Sequence, residues 1–109
     1  MMASHRNTAA SILMVATAGV MLQAARADTV RVEVKNLGFS PAAVSARVGD
    51  TVEWVNDDFV AHTATARNGT WDVNLPAHGS GHILLKQAGT IDYYCRFHPN
   101  MKAQITVAP

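Results

Sequence analysis

The chain of 109 residues has one cysteine, few aromatic residues (6%) and few charged residues (16%). A single cysteine excludes an intrachain disulfide. The charges nearly balance, with 9 Lys and Arg against 8 Asp and Glu. Because no basic run occurs, neither nucleic acid nor an anionic membrane surface is expected as a partner. The chain after its N-terminal region also lacks an internal repeat and the periodicity of an amphipathic helix.

The N-terminal residues have the pattern of a secretory signal peptide. After a short polar start, residues 8–22 carry no charge and are mostly apolar, and the small residues of Ala25-Arg26-Ala27 suit cleavage by a signal peptidase. A membrane anchor is the alternative, but the run is shorter than the ~20 residues that span a bilayer. We predict a signal peptide over 1–27 and a periplasmic domain over 28–109, with no membrane insertion once the signal is removed.

The exported domain is small. Removal of 27 of the 109 residues leaves 82, and the remaining basic residues number 7 against 8 acidic ones. A core of this size is marginal for stability, and a bound metal would add to it. A free thiol outside the cytoplasm is prone to oxidation, so Cys95 calls for a use. Metal ligation is one explanation, and a buried inert thiol is the other.

Short extended segments separated by turn residues predict an all-β sandwich. Val30, Val32 and Val34 alternate with charged residues, as in a half-buried strand. Asn68-Gly69 is a hairpin signal. A second hairpin is predicted around the turn at Ala88-Gly89. Its two strands would run from His82 to Lys86 and from Thr90 to Cys95.

Residues near the C-terminus carry the chemistry. Cys95, His98 and Met101 have the spacing Cys-x2-His-x2-Met, and His62 lies upstream on a separate segment. Two imidazoles, one thiolate and a weak thioether are the ligand set of a blue-copper centre, which accommodates both Cu(II) and Cu(I). Zinc suits the same thiolate and imidazoles, so zinc binding in vitro stays open.

The same residues argue against catalysis by copper. A dinuclear electron-transfer centre needs two bridging thiolates, and the chain has one. Multicopper oxidases have histidines beside the copper-binding cysteine, where this chain has Tyr94 and Arg96. A catalytic metal keeps an open coordination position, and four ligands leave none. We therefore predict an electron carrier and not an enzyme.

The segment Gly89–Met101 resembles the C-terminal ligand loop of the cupredoxins, and its short spacing is most similar to that of amicyanins. Val48-Gly49-Asp50-Thr51-Val52 also resembles the family, and the similarity extends over residues 29–107. The resemblance implies a Greek-key β-sandwich of about seven to eight strands. It also implies one copper ion per chain at one end of the sandwich. The ligands implied are His62, Cys95, His98 and Met101.

Two positions depart from the family pattern. Amicyanins and plastocyanins have an Asn after the first His ligand, where it braces the ligand loop, and this chain has Thr63. A Pro commonly precedes the second His ligand, and this chain has Phe97. Groups around the ligands tune reduction potential, so these changes bear on the potential and on the choice of partner.

The function predicted is that of a monomeric periplasmic shuttle that passes single electrons between redox proteins, such as a dehydrogenase and a c-type cytochrome. In the family, the second His ligand lies in an exposed loop and forms the electron exit. Apolar residues near it, namely Phe97, Pro99 and Phe59, would then form a docking patch. The alternative is a copper-binding protein of trafficking or resistance, which moves the ion and not the electron.

Two further histidines, His78 and His82, lie in a Gly-rich segment. If this segment formed a hairpin with the strand of Cys95, both would lie at the copper end of the sandwich. They are then either incidental loop histidines, or a low-affinity second metal site, or a pH-sensitive rim for docking.

Overall fold

Nine strands and no helix make up residues 26–109, the part of the chain that the computed structural model describes. Almost all of the predicted signal peptide, residues 1–25, lies outside the described residues. The strands are β1 (Thr29–Lys35), β2 (Gly38–Ser40), β3 (Ala43–Arg47), β4 (Thr51–Asn56), β5 (His62–Ala66), β6 (Asp72–Leu75), β7 (Ser80–Leu84), β8 (Gly89–Tyr94) and β9 (Lys102–Ala108).

The strands form two sheets, which confirms the predicted all-β sandwich. One sheet has the order β2-β1-β4-β7, and the other has the order β3-β9-β8-β5-β6. The count exceeds the predicted seven to eight strands, because a strand of three residues adds to it. This strand, β2, pairs antiparallel with β1.

Alternation along the strands places one face of each sheet in a shared core. Val32 and Val34 of β1 are fully buried, while their charged neighbours are exposed. Each buried side chain of this kind contributes about 1.5–3 kcal/mol. Trp54 and Tyr93 connect the two sheets, and the Trp54 Nε1–H donates to the Tyr93 hydroxyl at 3.2 Å. Burial, partly opposed by that hydrogen bond, raises the pKa of Tyr93 to about 12.

The two predicted hairpins have different outcomes. β5 and β6 pair as antiparallel strands, and Gly69 has the positive φ of 76° that this turn requires. The hairpin predicted around Ala88-Gly89 is wrong, because β7 pairs with β4 and β8 pairs with β5 and β9. Hydrogen bonds of Leu85 to the backbone of Gly49 and Asp50 hold the chain against the first sheet until residue 85. The turn then carries the chain across to the other sheet.

The end of β4 positions the loop that leads to His62. Asn56 is fully buried, and its side-chain N–H groups donate to the carbonyls of Val60, Leu75 and Pro76 at 2.9, 3.1 and 3.1 Å. The side-chain oxygen of Asn56, Oδ1, accepts from the backbone N–H of Asp58 at 2.9 Å. One buried amide therefore fixes both sides of the loop.

Among residues 26–109, no helix has the length and apolar character to cross a membrane.

Candidate metal centre

Three candidate ligands meet at one end of the sandwich. His62 begins β5, Cys95 directly follows β8, and His98 lies in the loop before β9. The nearest ligand atoms of the three side chains all lie within 4.8 Å of one another. His62 and Cys95 are 1% and 0% exposed, and His98 is half-buried. A group of polar atoms this close together, and this well shielded from water, is typical of a metal centre.

The distances between these atoms fit a single metal ion. The Cys95 Sγ lies 3.7 Å from His62 Nδ1 and 3.8 Å from His98 Nδ1. Metal–sulfur and metal–nitrogen bonds of about 2.3 and about 2.0 Å, meeting at about 120°, separate sulfur and nitrogen by about 3.7 Å. A thiolate with two imidazoles in that arrangement suits copper. These residues are therefore positioned for a single copper ion.

Backbone hydrogen bonds close the loop that carries Cys95, His98 and Met101. The Cys95 N–H donates to the Met101 carbonyl at 3.1 Å, and the Met101 N–H donates to the His98 carbonyl at 2.8 Å. The His98 N–H donates to the Cys95 carbonyl at 3.3 Å. Met101 itself is buried, with 3% exposed. Bonds among all three residues hold them in a fixed arrangement, which accounts for their tight spacing in the sequence.

The carboxylate of Asp58 orients His62. The His62 Nε2 lies 2.7 Å from Asp58 Oδ2, so a proton on Nε2 is held by the carboxylate. The lone pair of Nδ1 is then free on the side that faces Cys95. In the sequence, the single clue to this role of Asp58 is its position four residues before His62.

Asp58 is itself held by two backbone groups. Its carboxylate oxygens accept from the N–H groups of Asn36 and Leu37 at 2.8 and 3.1 Å, in the turn between β1 and β2. Burial acts to raise the pKa of Asp58. The hydrogen bonds from Leu37, His62 and Asn36 outweigh burial and hold the pKa below its usual value. The group beside His62 is therefore a firmly held anion at neutral pH.

Thr63 connects the two segments that carry the candidate ligands. Its backbone N–H donates to Cys95 Sγ at 3.3 Å, and its hydroxyl accepts from the Arg96 N–H at 2.9 Å. Thr63 is fully buried. The position at which the sequence departs from the family pattern therefore still joins the loop of His62 to the loop of Cys95.

Apolar side chains are exposed on the loops that carry both histidines. Phe97 precedes His98 and is 55% exposed, while Phe59 lies in the loop before His62 and is 88% exposed. Phe59 makes an edge-on contact with the ring of His78, with a centroid separation of 4.9 Å. His78 therefore lies at the copper end, as predicted.

His82 lies elsewhere. It stands opposite Glu53 on the exposed face of the first sheet, since a Cβ at its neighbour Gly81 would point inward at Val73 and Leu75. The prediction that His82 and His78 share one loop at the copper end is therefore wrong for His82. Within residues 26–109, only His62, Cys95 and His98 form a cluster of three or more side chains with converging metal-binding atoms.

The family model for a cupredoxin-like domain matches residues 8–107 of the chain. The chain belongs to the cupredoxin family. This cupredoxin is 27% identical over 87 residues to amicyanin of Paracoccus versutus, and the match covers 74% of this chain and 66% of that protein. It is 28% identical over 92 residues to amicyanin-alpha of Methylorubrum extorquens, and the match covers 79% of this chain and 77% of that protein. The chain thus spans about two thirds of the length of the Paracoccus relative.

Solved structures give the same picture. The cupredoxin superimposes on the crystal structure of amicyanin from Paracoccus versutus with a TM-score of 0.64 and 27% identity, over 75% of this chain and 83% of that one. A purple cupredoxin from Nitrosopumilus maritimus superimposes with a TM-score of 0.65 and 26% identity, and the match covers 72% of this chain and 99% of that one. A reduced proline-to-phenylalanine variant of amicyanin superimposes with a TM-score of 0.64 and 25% identity, and the match covers 72% of this chain and 81% of that one. The resemblance to amicyanins is confirmed.

Proposed function

We propose that this cupredoxin is a type 1 copper protein that carries single electrons, with His62, Cys95 and His98 as its strong ligands. The observation that supports this most is the convergence of Cys95 Sγ and the two Nδ1 atoms at 3.7 and 3.8 Å. Copper held there supplies a one-electron couple between Cu(II) and Cu(I). Met101, buried and hydrogen-bonded within the same loop, is the proposed weak fourth ligand.

The hydrogen bonds around the ligands suit electron transfer because they resist movement. Asp58 fixes the ring of His62, and Thr63 fixes the sulfur of Cys95. Fixed ligands change position little between oxidation states, so little reorganisation accompanies each transfer. With Met101 at the fourth position, no site is left for a substrate on the metal, and we infer that the protein is a carrier and not an enzyme.

His98 is the proposed point of electron exit, because it is the only half-buried member of a cluster whose other members are fully buried. Exposed Phe97 beside it and Phe59 on the neighbouring loop suit a small, transient interface with another redox protein. We propose a dehydrogenase or a c-type cytochrome as the partner class, with the carrier acting as a monomer.

We also propose that the carrier works in the periplasm after removal of residues 1–27. The composition of these residues supports export, and curated amicyanins are among the relatives. Mass spectrometry of the protein from a periplasmic extract should give a chain that begins at Asp28. Retention of the N-terminal residues in a membrane fraction would instead support an anchor.

Electrochemistry distinguishes an electron carrier from a copper-trafficking protein. The carrier should show a reversible one-electron wave, rapid electron self-exchange and slow loss of Cu(I) to a chelator. Rapid transfer of Cu(I) to an apo acceptor, together with slow self-exchange, would contradict the proposal and favour trafficking. Both measurements use the same copper-loaded protein.

A further inference from the structure

Arg96, the residue after Cys95, makes contacts in two directions. Its backbone N–H points inward and donates to Thr63 Oγ1 at 2.9 Å. Its guanidinium points outward, where Nε donates to Asp72 Oδ1 at 3.1 Å and Nη2 donates to Asn74 Oδ1 at 3.3 Å. The side chains of Arg96 and Asp72 are 39% and 50% exposed. One residue thus joins the copper loop to an ion pair on the surface of the second sheet.

Two threonines complete a ring between these contacts. The Thr65 hydroxyl donates to Asp72 Oδ1 at 2.7 Å, and the hydroxyls of Thr63 and Thr65 are 2.9 Å apart. A carboxylate only accepts, so the proton of Thr65 must point to Asp72. Thr65 therefore accepts from the Thr63 hydroxyl, and Thr63 accepts from the Arg96 N–H.

The three hydrogen bonds that lead from the Arg96 N–H through Thr63 and Thr65 to the Asp72 carboxylate run in one direction, and the Arg96 guanidinium closes the ring by donating to the same carboxylate oxygen. Hydrogen bonds that follow one another in this way polarise and strengthen each other. The bond from Thr65 contributes most to lowering the pKa of Asp72, and Arg96 lowers it further against the effect of burial. Asp72 is thus the exposed anionic acceptor of the ring, and Thr63 is its buried member.

We propose that Asp72 and Thr65 are positioning residues for the copper-binding thiolate, acting through Thr63. The connection is the Thr63 backbone N–H, which donates to Cys95 Sγ at 3.3 Å. The ring fixes Thr63 against the Cys95–Arg96 peptide, and so maintains that bond to sulfur. The effect on copper rests on the proposed function, whereas the effect on the hydrogen bonds does not.

The simpler explanation is an exposed ion pair with no connection to the site. Exposed ion pairs contribute little, and loss of a nearby anion acts on copper only through its charge. Loss of negative charge favours the less positive Cu(I) state, so it raises the reduction potential. Loss of a hydrogen bond to sulfur makes the thiolate a stronger donor to Cu(II) and lowers the potential. For Asp72→Ala the charge effect and the hydrogen-bond effect therefore oppose each other. Thr65→Val changes no charge, so it shifts the potential only if the ring acts on the sulfur.

The test on the copper-loaded protein uses Thr65→Val, Asp72→Ala and a matched control, Asp92→Ala. Asp92 is an exposed carboxylate on β8 that accepts from Gln104 Nε2 at 3.0 Å, outside the ring. Thr65→Val should lower the potential with no change in charge, and Thr65→Ser should restore it. Asp72→Ala should give a lower potential than Asp92→Ala, because both remove one negative charge and only Asp72→Ala also weakens the ring. The Thr65→Val and Asp72→Ala shifts should be less than additive when combined.

The test on the copper-free protein measures amide hydrogen exchange. Thr65→Val and Asp72→Ala should speed exchange at the Arg96 and Thr63 amides about threefold to tenfold, because each loses part of its support. The Met101 amide, which donates to the His98 carbonyl outside the ring, should be unchanged and reports that the loop is still folded.

The outcomes separate clearly. Unchanged exchange at the Arg96 amide would overturn the ring, whatever the copper does. Faster exchange, with the potential of Thr65→Val equal to that of the wild type, would show that the ring does not reach the thiolate and would overturn the proposal. A wild-type copper complex without a thiolate-to-copper band would refute the proposed function instead, and the exchange result would then decide the ring alone.

Discussion

Two aspartates flank β4, and they perform the same structural task at opposite ends of the strand. Asp50, just before β4, accepts from the N–H groups of Asp28 and Arg47, both at 2.9 Å. Asp58, just after β4, accepts from Asn36 and Leu37 at 2.8 and 3.1 Å. Each carboxylate thus attaches one end of β1 to one end of β4, its parallel neighbour.

The difference lies in a third partner. The carboxylate of Asp50 has only backbone donors, whereas Asp58 Oδ2 also lies 2.7 Å from His62 Nε2. At the far end of the sandwich the carboxylate serves the fold alone. At the copper end the same device also sets the tautomer and direction of His62, a proposed ligand. Stability and ligand orientation are therefore coupled at one end and separate at the other, which mutations can test.

The largest expected effect follows from Asp58→Ala. Loss of the carboxylate that orients a ligand histidine typically lowers metal affinity about 10–100-fold. Competition with a chelator, measured under conditions in which the variant is fully folded, gives the affinity for Cu(II). Asp50→Ala is the matched control, and it should destabilise the fold while leaving the affinity unchanged. Equal affinities in the two variants would remove the distinction between the ends.

Acid should reveal the structural role of Asp50. Its hydrogen bonds from Asp28 and Arg47 hold its pKa below the usual value, with burial opposing them and the Arg47 charge assisting. A carboxyl group with a lowered pKa in the folded state contributes stability above its unfolded pKa of about 4, and this is lost as the pH falls through the folded value. The melting temperature of the copper-free protein should fall in that window. Asp50→Ala should flatten the fall, and an unchanged slope would contradict this role.

Met101→Gln should give a moderate effect at the copper end. An oxygen donor favours Cu(II) over Cu(I) more than a thioether does, so the variant should retain copper and show a lower reduction potential. Voltammetry of the wild type and the variant under the same conditions measures the change. An unchanged potential would mean that Met101 only packs against the core.

The smallest effect concerns the exposed surface. Phe97, beside His98, and Leu84, which stands opposite Thr51 near Asp50, are 55% and 54% exposed, so they are closely matched. Phe97→Ala should slow electron self-exchange several-fold, since two molecules must approach at the copper end, while Leu84→Ala should not. Equal self-exchange rates in the two variants would argue against electron exit at His98.

Local pattern accounts for what the sequence predicted well. Cys95, His98 and Met101 lie in one loop whose own backbone hydrogen bonds set their geometry, so their spacing carried the information. The alternation of Val32 and Val34 likewise predicted a strand with one buried face. That the three loop residues and His62 bind copper stays a prediction, although the structure brings His62, Cys95 and His98 together.

Long-range contacts account for what the sequence could not predict. The turn at Ala88-Gly89 signalled a change of direction but not that the next strand would join the other sheet. Asp58 and Asp72 appeared as ordinary polar residues, because their partners Leu37 and Arg96 lie 21 and 24 positions away. Only the folded arrangement shows that Asp58 contacts His62 and that Asp72 pairs with the residue after Cys95.

The visible absorption spectrum of the protein loaded with Cu(II) tests the central claim most directly. A short bond from the Cys95 thiolate in a plane with two imidazoles predicts an intense thiolate-to-copper band toward the red end of the visible range. Cys95→Ser should abolish that band while circular dichroism shows the copper-free fold intact. A colourless wild-type complex with bound Cu(II) would contradict the assignment of this site as a type 1 copper centre.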